Sequence, residues 1–110
     1  MSRFLRASLV LLSFGVVTPA FAGLPSYDLE LKDGALNPQT LKVNAGERFK
    51  LNLHNTGMGP VEFESPRLRQ EKVLAPGAES FVVIPPLKKD EYEFFDEFHL
   101  PDAKGRIIAQ

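Results

Sequence analysis

The chain has 110 residues, a formal net charge of -1, 25% charged residues and no cysteine. This length accommodates one small domain and not two. The absence of cysteine excludes disulfides, thiolate metal ligands, cysteine nucleophiles and lipid attachment at a cysteine.

The first 22 residues have the pattern of a secretory signal peptide. Arg3 and Arg6 precede an apolar run over residues 7–17, and the small-x-small triplet at residues 20–22 closes it. Because the run is too short to span a bilayer, we predict cleavage after Ala22, no membrane insertion and export to a bacterial periplasm. The remaining 88 residues carry 11 basic and 14 acidic side chains. Their formal charge of -3 argues against nucleic acid or anionic lipid as a partner.

Short alternating segments separated by turns predict an all-β domain over residues 23–110. The clearest strand is 47–55, where Phe49, Leu51 and Leu53 alternate with polar residues. Residues 67–74 fit either a helical turn or a loop followed by a short strand. No long amphipathic helix appears, so the chain predicts a sandwich or barrel of about seven strands. The predicted strands are 27–32, 41–43, 47–55, 61–64, 80–84, 92–96 and 106–109.

The side chains with metal-binding chemistry are concentrated in residues 92–105. Tyr92, Phe94 and Asp96 share one face of a strand, so a core that buries the two aromatic rings also buries Asp96 at the strand's end. His99 follows three residues later, and Asp102 three residues after that. A strand end and its following loop can thus bring carboxylate and imidazole groups together, and divalent or trivalent metals accept both.

Four segments in this order resemble the cupredoxin fold, a Greek-key β-sandwich or barrel: AGERFKLNLHNTG (45–57), GPVEFES (59–65), LAPGAESFVV (74–83) and YEFFDEFHLPDAKGRIIA (92–109). The words EFES and FFDEFH give a nearer resemblance to the cysteine-free cupredoxin-like domains of bacterial periplasmic iron-uptake systems, the EfeO and FtrB kind. This resemblance implies that residues 23–110 form one cupredoxin-like domain.

The resemblance also indicates which end of the sandwich is expected to bind metal. At that end the sequence differs from blue-copper proteins. Val61 stands where their first histidine lies, Asp96 replaces their cysteine, and His99 retains the second histidine. Residues 102–104 stand at the axial methionine, so three of the four ligands are missing and a thiolate copper site cannot be built. The resemblance therefore implies a copper or iron ion held with oxygen donors. The implied partner is an inner-membrane iron permease or its periplasmic partner.

The predicted metal ligands are His99, Asp96, Glu62, Met58 and Asp102. His99 also fits a capped loop histidine, and Asp96 and Asp102 fit turn residues. Glu62 has the outward parity of its strand, so a bulge would be needed to turn it inward. Met58 lies between two glycines, where an apolar side chain gains little without a ligand or partner, and its thioether favours copper over ferric iron.

Three other polar residues rank lower as metal ligands. Glu64 and Glu71 are weaker candidates than the five predicted ligands. His54 has the outward parity of its strand and is assigned to the surface.

The leading functional hypothesis is a periplasmic protein that binds copper or iron and assists a high-affinity iron permease by metal delivery or redox coupling. The alternative is a metal-free β-sandwich that docks in a transport complex through Phe95, Phe98 and Leu100. No Ser/His/Asp grouping has plausible catalytic spacing. An enzymatic role is therefore limited to a metal oxidase activity on Fe(II).

Overall fold

Nine strands and one turn of 3₁₀ helix (Glu97–His99) form residues 23–110, the part of the chain that the computed structural model describes. The predicted signal peptide, residues 1–22, lies outside the described residues. The strands are β1 (Ser26–Lys32), β2 (Ala35–Asn37), β3 (Thr40–Val43), β4 (Phe49–Asn55), β5 (Val61–Ser65), β6 (Gln70–Leu74), β7 (Glu79–Ile84), β8 (Asp90–Asp96) and β9 (Lys104–Ala109).

The strands form two sheets, and the predicted all-β sandwich is confirmed. One sheet has the order β2-β1-β4-β7, and the other has the order β3-β9-β8-β5-β6. Most neighbours are antiparallel, but β1 pairs with β4 and β3 pairs with β9 in parallel. Parallel neighbours need crossover connections, so the chain passes from one sheet to the other instead of turning directly back. Within residues 23–110 no helix is long and apolar enough to cross a membrane.

Alternation of apolar and polar residues places the core between the sheets. In β4, the inward-facing Phe49, Leu51 and Leu53 are fully or almost fully buried. From the opposite sheet, Phe63 of β5 and Phe94 of β8 place their ring centroids 5.6 Å apart. The core is therefore built from phenylalanine and aliphatic side chains, with aromatic contacts adding to area burial.

Two of the nine strands were not assigned from the sequence. The three-residue strand β2 follows the turn at Asp33 and Gly34 too closely to form an alternating pattern. The ambiguous segment 67–74 is a turn followed by β6, which is the loop-and-strand alternative. Arg69 has a φ of 55°, and its N–H donates to the Pro66 carbonyl at 3.1 Å, which reverses the chain direction into β6.

Gly105 lies where β9 passes closest to its neighbours. A Cβ at this position would lie 2.6 Å from Cζ of Phe94 and 2.7 Å from the carbonyl oxygen of Gln39. The Arg106 N–H donates to the same carbonyl at 2.8 Å, so moving the backbone away would break a ladder hydrogen bond. Only glycine fits this position without displacing a core ring.

Replacing Gly105 with alanine is therefore expected to lower the free energy of unfolding by about 1–3 kcal/mol through overpacking. Urea unfolding followed by circular dichroism measures this change. Gly59→Ala is the matched control, because a Cβ there meets nothing within 4 Å. An equal effect of the two substitutions would contradict the assigned role of Gly105.

Candidate metal centre

Asp96 ends β8 and is fully buried, as its inward parity predicts. Its Oδ1 accepts hydrogen bonds from the backbone N–H groups of Glu62 at 3.0 Å and Phe98 at 3.1 Å. Its Oδ2 lies 2.6 Å from Nδ1 of His99. Burying a carboxylate is costly unless hydrogen bonds replace its hydration, and here three donors do so.

The 3₁₀ turn brings His99 to Asp96, because Asp96 caps the turn by accepting the Phe98 N–H. An ionised carboxylate only accepts hydrogen bonds, so Nδ1–H of His99 donates to it and Nε2 carries the lone pair. One side of the ring packs against Gly34, where a Cβ would lie 3.5 Å from Cδ2 of His99. The histidine side chain remains 31% exposed. The structure thus brings the predicted carboxylate and imidazole together as a directly hydrogen-bonded pair.

The two other predicted ligands from neighbouring loops are exposed. Met58 has an 88% exposed side chain, although its loop is firmly held: its N–H donates to the Asp33 carboxylate at 3.0 Å. Asn55 holds the same loop by accepting the Gly57 N–H at 3.0 Å. Asp102 is exposed in the turn before β9, and only its backbone carbonyl has a hydrogen bond among the described residues. Neither side chain is directed by contacts toward the Asp96–His99 pair.

A second group of acidic side chains lies on the outer face of β5 and β6. The register places Glu64 directly opposite Glu71, and Glu62 lies two residues before Glu64 on the same face. One carboxylate oxygen from each of the three lies within 4.8 Å of the other two. We call Glu62, Glu64 and Glu71 the carboxylate cluster. Glu97 of the 3₁₀ turn lies next to the cluster and contributes to the raised pKa of Glu64.

The carboxylate cluster contains no compensating positive charge. Among residues 23–110, none of the ion pairs made by lysine, arginine or histidine involves a member of the cluster. Negative charges held within 4.8 Å of one another repel, which disfavours the state in which all three carboxylates are ionised. The cluster therefore needs a proton or a cation to relieve this repulsion.

Glu62 is the least accessible member of the carboxylate cluster. Its side chain has the outward parity predicted from the sequence, yet the residue is only 7% exposed, because β5 lies between β8 and β6. A hydrogen bond with Glu71, together with burial and the negative charge of Glu71, raises the pKa of Glu62 to about 7. Burial and the charge of Glu71 also raise the pKa of Glu64. Two carboxylates this close can share a proton or bind a cation together.

The sequence reasoning found one member of the cluster and ranked the others too low to include them. Glu62 was a predicted ligand, whereas Glu64 and Glu71 ranked below the predicted set and Glu97 was not considered. The register of β5 with β6 supplies the missing information. The signal was present in the sequence as EFE and QE on either side of a turn, where hairpin pairing brings the acidic residues opposite each other.

Solved structures with the same arrangement of strands define the class of the fold. Auracyanin B superposes with a TM-score of 0.69 at 12% identity, covering 86% of this chain and 93% of its own. The metal binding domain of the Streptococcus pneumoniae D39 Cu(I) exporting P-type ATPase CopA has a TM-score of 0.68 at 11% identity, covering 77% and 84%. At these identities the likeness shows the fold alone. That fold is a cupredoxin-like β-sandwich.

Sequence comparison then gives the family. The profile of the cupredoxin-like domain matches residues 5–109. Over 81 residues the chain is 34% identical to protein RP394 of Rickettsia prowazekii (strain Madrid E). This match covers 74% of the chain and 65% of the relative, slightly less than two thirds of the relative's length. The chain belongs to the cupredoxin-like domain family.

The raised pKa of Glu62 predicts a pH-dependent stability of the metal-free protein. The pKa rises from its ordinary 4.5 to about 7 on folding, so the folded state holds a proton that the unfolded state has lost. The free energy of unfolding therefore falls as pH rises from about 4.5 to about 7. Glu62→Gln cannot ionise and is expected to lack this fall. At pH 8 the variant should have a higher free energy of unfolding than the wild type, with little difference at pH 4.

Urea unfolding in metal-free buffer between pH 4 and pH 8 measures the difference between variant and wild type. Glu93→Gln is the matched control, because Glu93 is an exposed carboxylate of β8 outside the cluster. The control is expected to follow the wild-type pH dependence. A Glu62→Gln difference that stays constant over this pH range would show that Glu62 does not carry the proton.

Proposed function

We propose that this protein is a periplasmic metal carrier that binds a hard metal ion, iron in particular, at the carboxylate cluster and assists an iron transport system. The observation that carries the proposal is the cluster itself. Three carboxylate oxygens lie within 4.8 Å of one another, one of them belongs to a nine-tenths buried side chain, and none is paired with a base.

The donor set decides the class of metal. Oxygens that bind one hard cation at about 2.0–2.6 Å lie within about 5 Å of each other, which the 4.8 Å limit of the cluster satisfies. Carboxylates suit hard cations and hold iron in carboxylate proteins, whereas Cu(I) prefers sulfur ligands. A bound cation would also remove the repulsion among Glu62, Glu64 and Glu71. The cargo that fits this cluster is therefore a hard di- or trivalent ion.

Copper is the competing ion, and it would use a different place in the fold. The CopA domain with the similar fold was solved with Cu(I), and Auracyanin A is described as a "blue" copper protein. Among the predicted ligands the nitrogen and sulfur donors are the imidazole of His99 and the thioether of Met58, and the chain has no cysteine. Copper binding would thus depend on His99 and not on the carboxylate cluster.

The cellular context follows from the sequence. The signal-peptide pattern of residues 1–22 supports a periplasmic location, and the resemblance to iron-uptake domains supports an inner-membrane iron permease or its periplasmic partner as the recipient. A carboxylate site without a thiolate lacks the tuned one-electron chemistry of blue copper. This favours delivery over electron transfer, leaving Fe(II) oxidation as the one catalytic activity to assay.

Metal titrations distinguish the two sites. Fe(II) under argon and Tb(III) are expected to bind the purified protein with a Kd below about 10 µM. The triple variant Glu62→Gln, Glu64→Gln, Glu71→Gln should weaken this binding by about 100-fold or more, which corresponds to ~2.7 kcal/mol. Calorimetry or Tb(III) luminescence measures the affinity.

Two further variants make this titration specific. Asp102→Asn removes one exposed carboxylate outside the cluster; it is the control for loss of a single surface charge and should bind like the wild type. His99→Ala should remove Cu(II) binding if copper uses the imidazole. Unchanged Fe(II) and Tb(III) affinity in the triple variant would refute the assignment of the cluster.

A metal-free interaction module is the second candidate function. The observation that favours it is the exposure of Phe98 (49%) and Leu100 (41%), which lie on or just after the 3₁₀ turn. Phe95, the third residue of the patch predicted from the sequence, is half-buried on β8. Exposed aromatic and aliphatic side chains beside a rigid turn are suitable interface anchors.

Replacing both Phe98 and Leu100 with serine separates this function from metal binding. If the protein acts by docking alone, the double variant loses co-purification with the iron permease in EDTA, whereas the triple glutamine variant retains it. Pull-down with the tagged permease and immunoblotting measures both. Complex formation that requires metal and survives the double serine change would exclude the metal-free module.

A further inference from the structure

The carboxylate cluster and Asp96 lie on opposite faces of one sheet and are connected through the backbone. Asp96 faces the core at the end of β8, while Glu62 projects outward from the neighbouring strand β5. Oδ1 of Asp96 accepts the Glu62 N–H at 3.0 Å and the Phe98 N–H at 3.1 Å. A single oxygen atom therefore holds both the strand that carries Glu62 and the turn that carries Glu97.

We propose that Asp96 is a positioning residue for the carboxylate cluster, setting the backbone of Glu62 and the 3₁₀ turn of Glu97 from inside the sheet. This inference rests on the proposed function, since it concerns the same metal site. In this proposal Asp96 does not bind the cation. It positions the carboxylates that bind the cation on the other face of the sheet.

The strand pairing explains why support is needed at this point. The ladder between β5 and β8 consists of Glu64 opposite Phe95 and Phe63 opposite Asp96, and it ends there. The next N–H along β5, that of Glu62, has no strand partner on this side. The Asp96 side chain replaces the missing ladder bond, so the backbone of Glu62 is fixed although the pairing has stopped.

The second bond of Oδ1 fixes the direction in which the chain leaves β8. By accepting the Phe98 N–H, Asp96 caps the 3₁₀ turn and begins it immediately after the strand. Glu97 is the first residue of this turn and lies near enough to Glu64 to raise the pKa of that carboxyl. Without the cap, neither the turn nor Glu97 would be held against β5.

His99 fixes the orientation of the Asp96 carboxylate. Its Nδ1 binds Oδ2 at 2.6 Å, and its ring is braced against Gly34. With Oδ2 held, Oδ1 cannot rotate away from the two amides. His99 thus orients Asp96, and Asp96 in turn positions Glu62 and Glu97. Metal ligands in proteins are commonly oriented in this way by a second layer of hydrogen-bond partners.

Tb(III) luminescence of the purified protein tests this role, because it reports both affinity and the number of bound water molecules. Asp96→Ala should weaken Tb(III) binding by about 10–100-fold, the usual effect of removing an outer partner. Its bound ion should gain about one or two waters as carboxylates withdraw. Asp96→Asn keeps an oxygen that can accept both backbone amides, and the other tautomer of His99 can accept the side-chain amide N–H at Nδ1. This variant should therefore stay within about threefold of the wild type in affinity, with the same hydration. Asp102→Asn is the exposed control.

The outcomes separate this inference from the proposed function. Wild-type protein that binds no Tb(III) overturns both. Wild-type binding together with a folded Asp96→Ala protein of unchanged affinity and hydration overturns the positioning role alone. If circular dichroism finds Asp96→Ala unfolded, His99→Phe is tested in its place. This substitution keeps an aromatic ring at position 99 but removes the hydrogen bond to Oδ2 of Asp96. This variant should bind about 3–10-fold more weakly, and wild-type affinity and hydration would overturn the proposal.

Discussion

The polar architecture of this end of the molecule depends on one buried carboxylate, that of Asp96. An ionised group out of water costs several kcal/mol unless its hydrogen bonds are replaced. Here the replacement comes from a strand amide, a turn amide and an imidazole. Because the carboxylate requires all three donors, β5, the 3₁₀ turn and His99 have to take up their positions together. The local structure is therefore cooperative. Loss of one hydrogen-bond donor would leave the carboxylate less well solvated and would weaken its other two hydrogen bonds.

The two faces of β5 differ in how their charges are satisfied. On the inner side, the Asp96 carboxylate lies within hydrogen-bond distance of two backbone N–H groups and one imidazole nitrogen. On the outer side, Glu62, Glu64 and Glu71 lie together without a base, at a cost to the folded state. A protein retains such repulsion where the charges serve a purpose other than folding, as at functional sites with perturbed pKa values. The contrast separates the supporting polar groups from those available to an ion.

Local pattern was sufficient to predict seven of the nine strands and the Asp96–His99 pair. It was not sufficient to predict which residues of neighbouring strands lie opposite each other. Alternation identified β4 and β8 and placed Asp96 inside, and three-residue spacing placed His99 beside it. The sequence could not place Glu71 opposite Glu64, because that pairing depends on a tight turn in which Arg69 has a positive φ. The burial of Glu62 depends on β5 being an interior strand, which only the order of the whole sheet decides.

In the proposed carrier, the repulsion among the three carboxylates would also assist release of a bound cation. At neutral pH, the pKa of Glu62 near 7 means that its carboxylate is close to half protonated without a metal. A hard ion must displace this proton to use Glu62, so binding is coupled to proton release and weakens as pH falls. Protonation and cation binding relieve the same unfavourable charge, which makes them alternatives at one site. A metal carrier has to release its metal as well as bind it. In the proposed site, protonation of the cluster would release the metal without a change of fold.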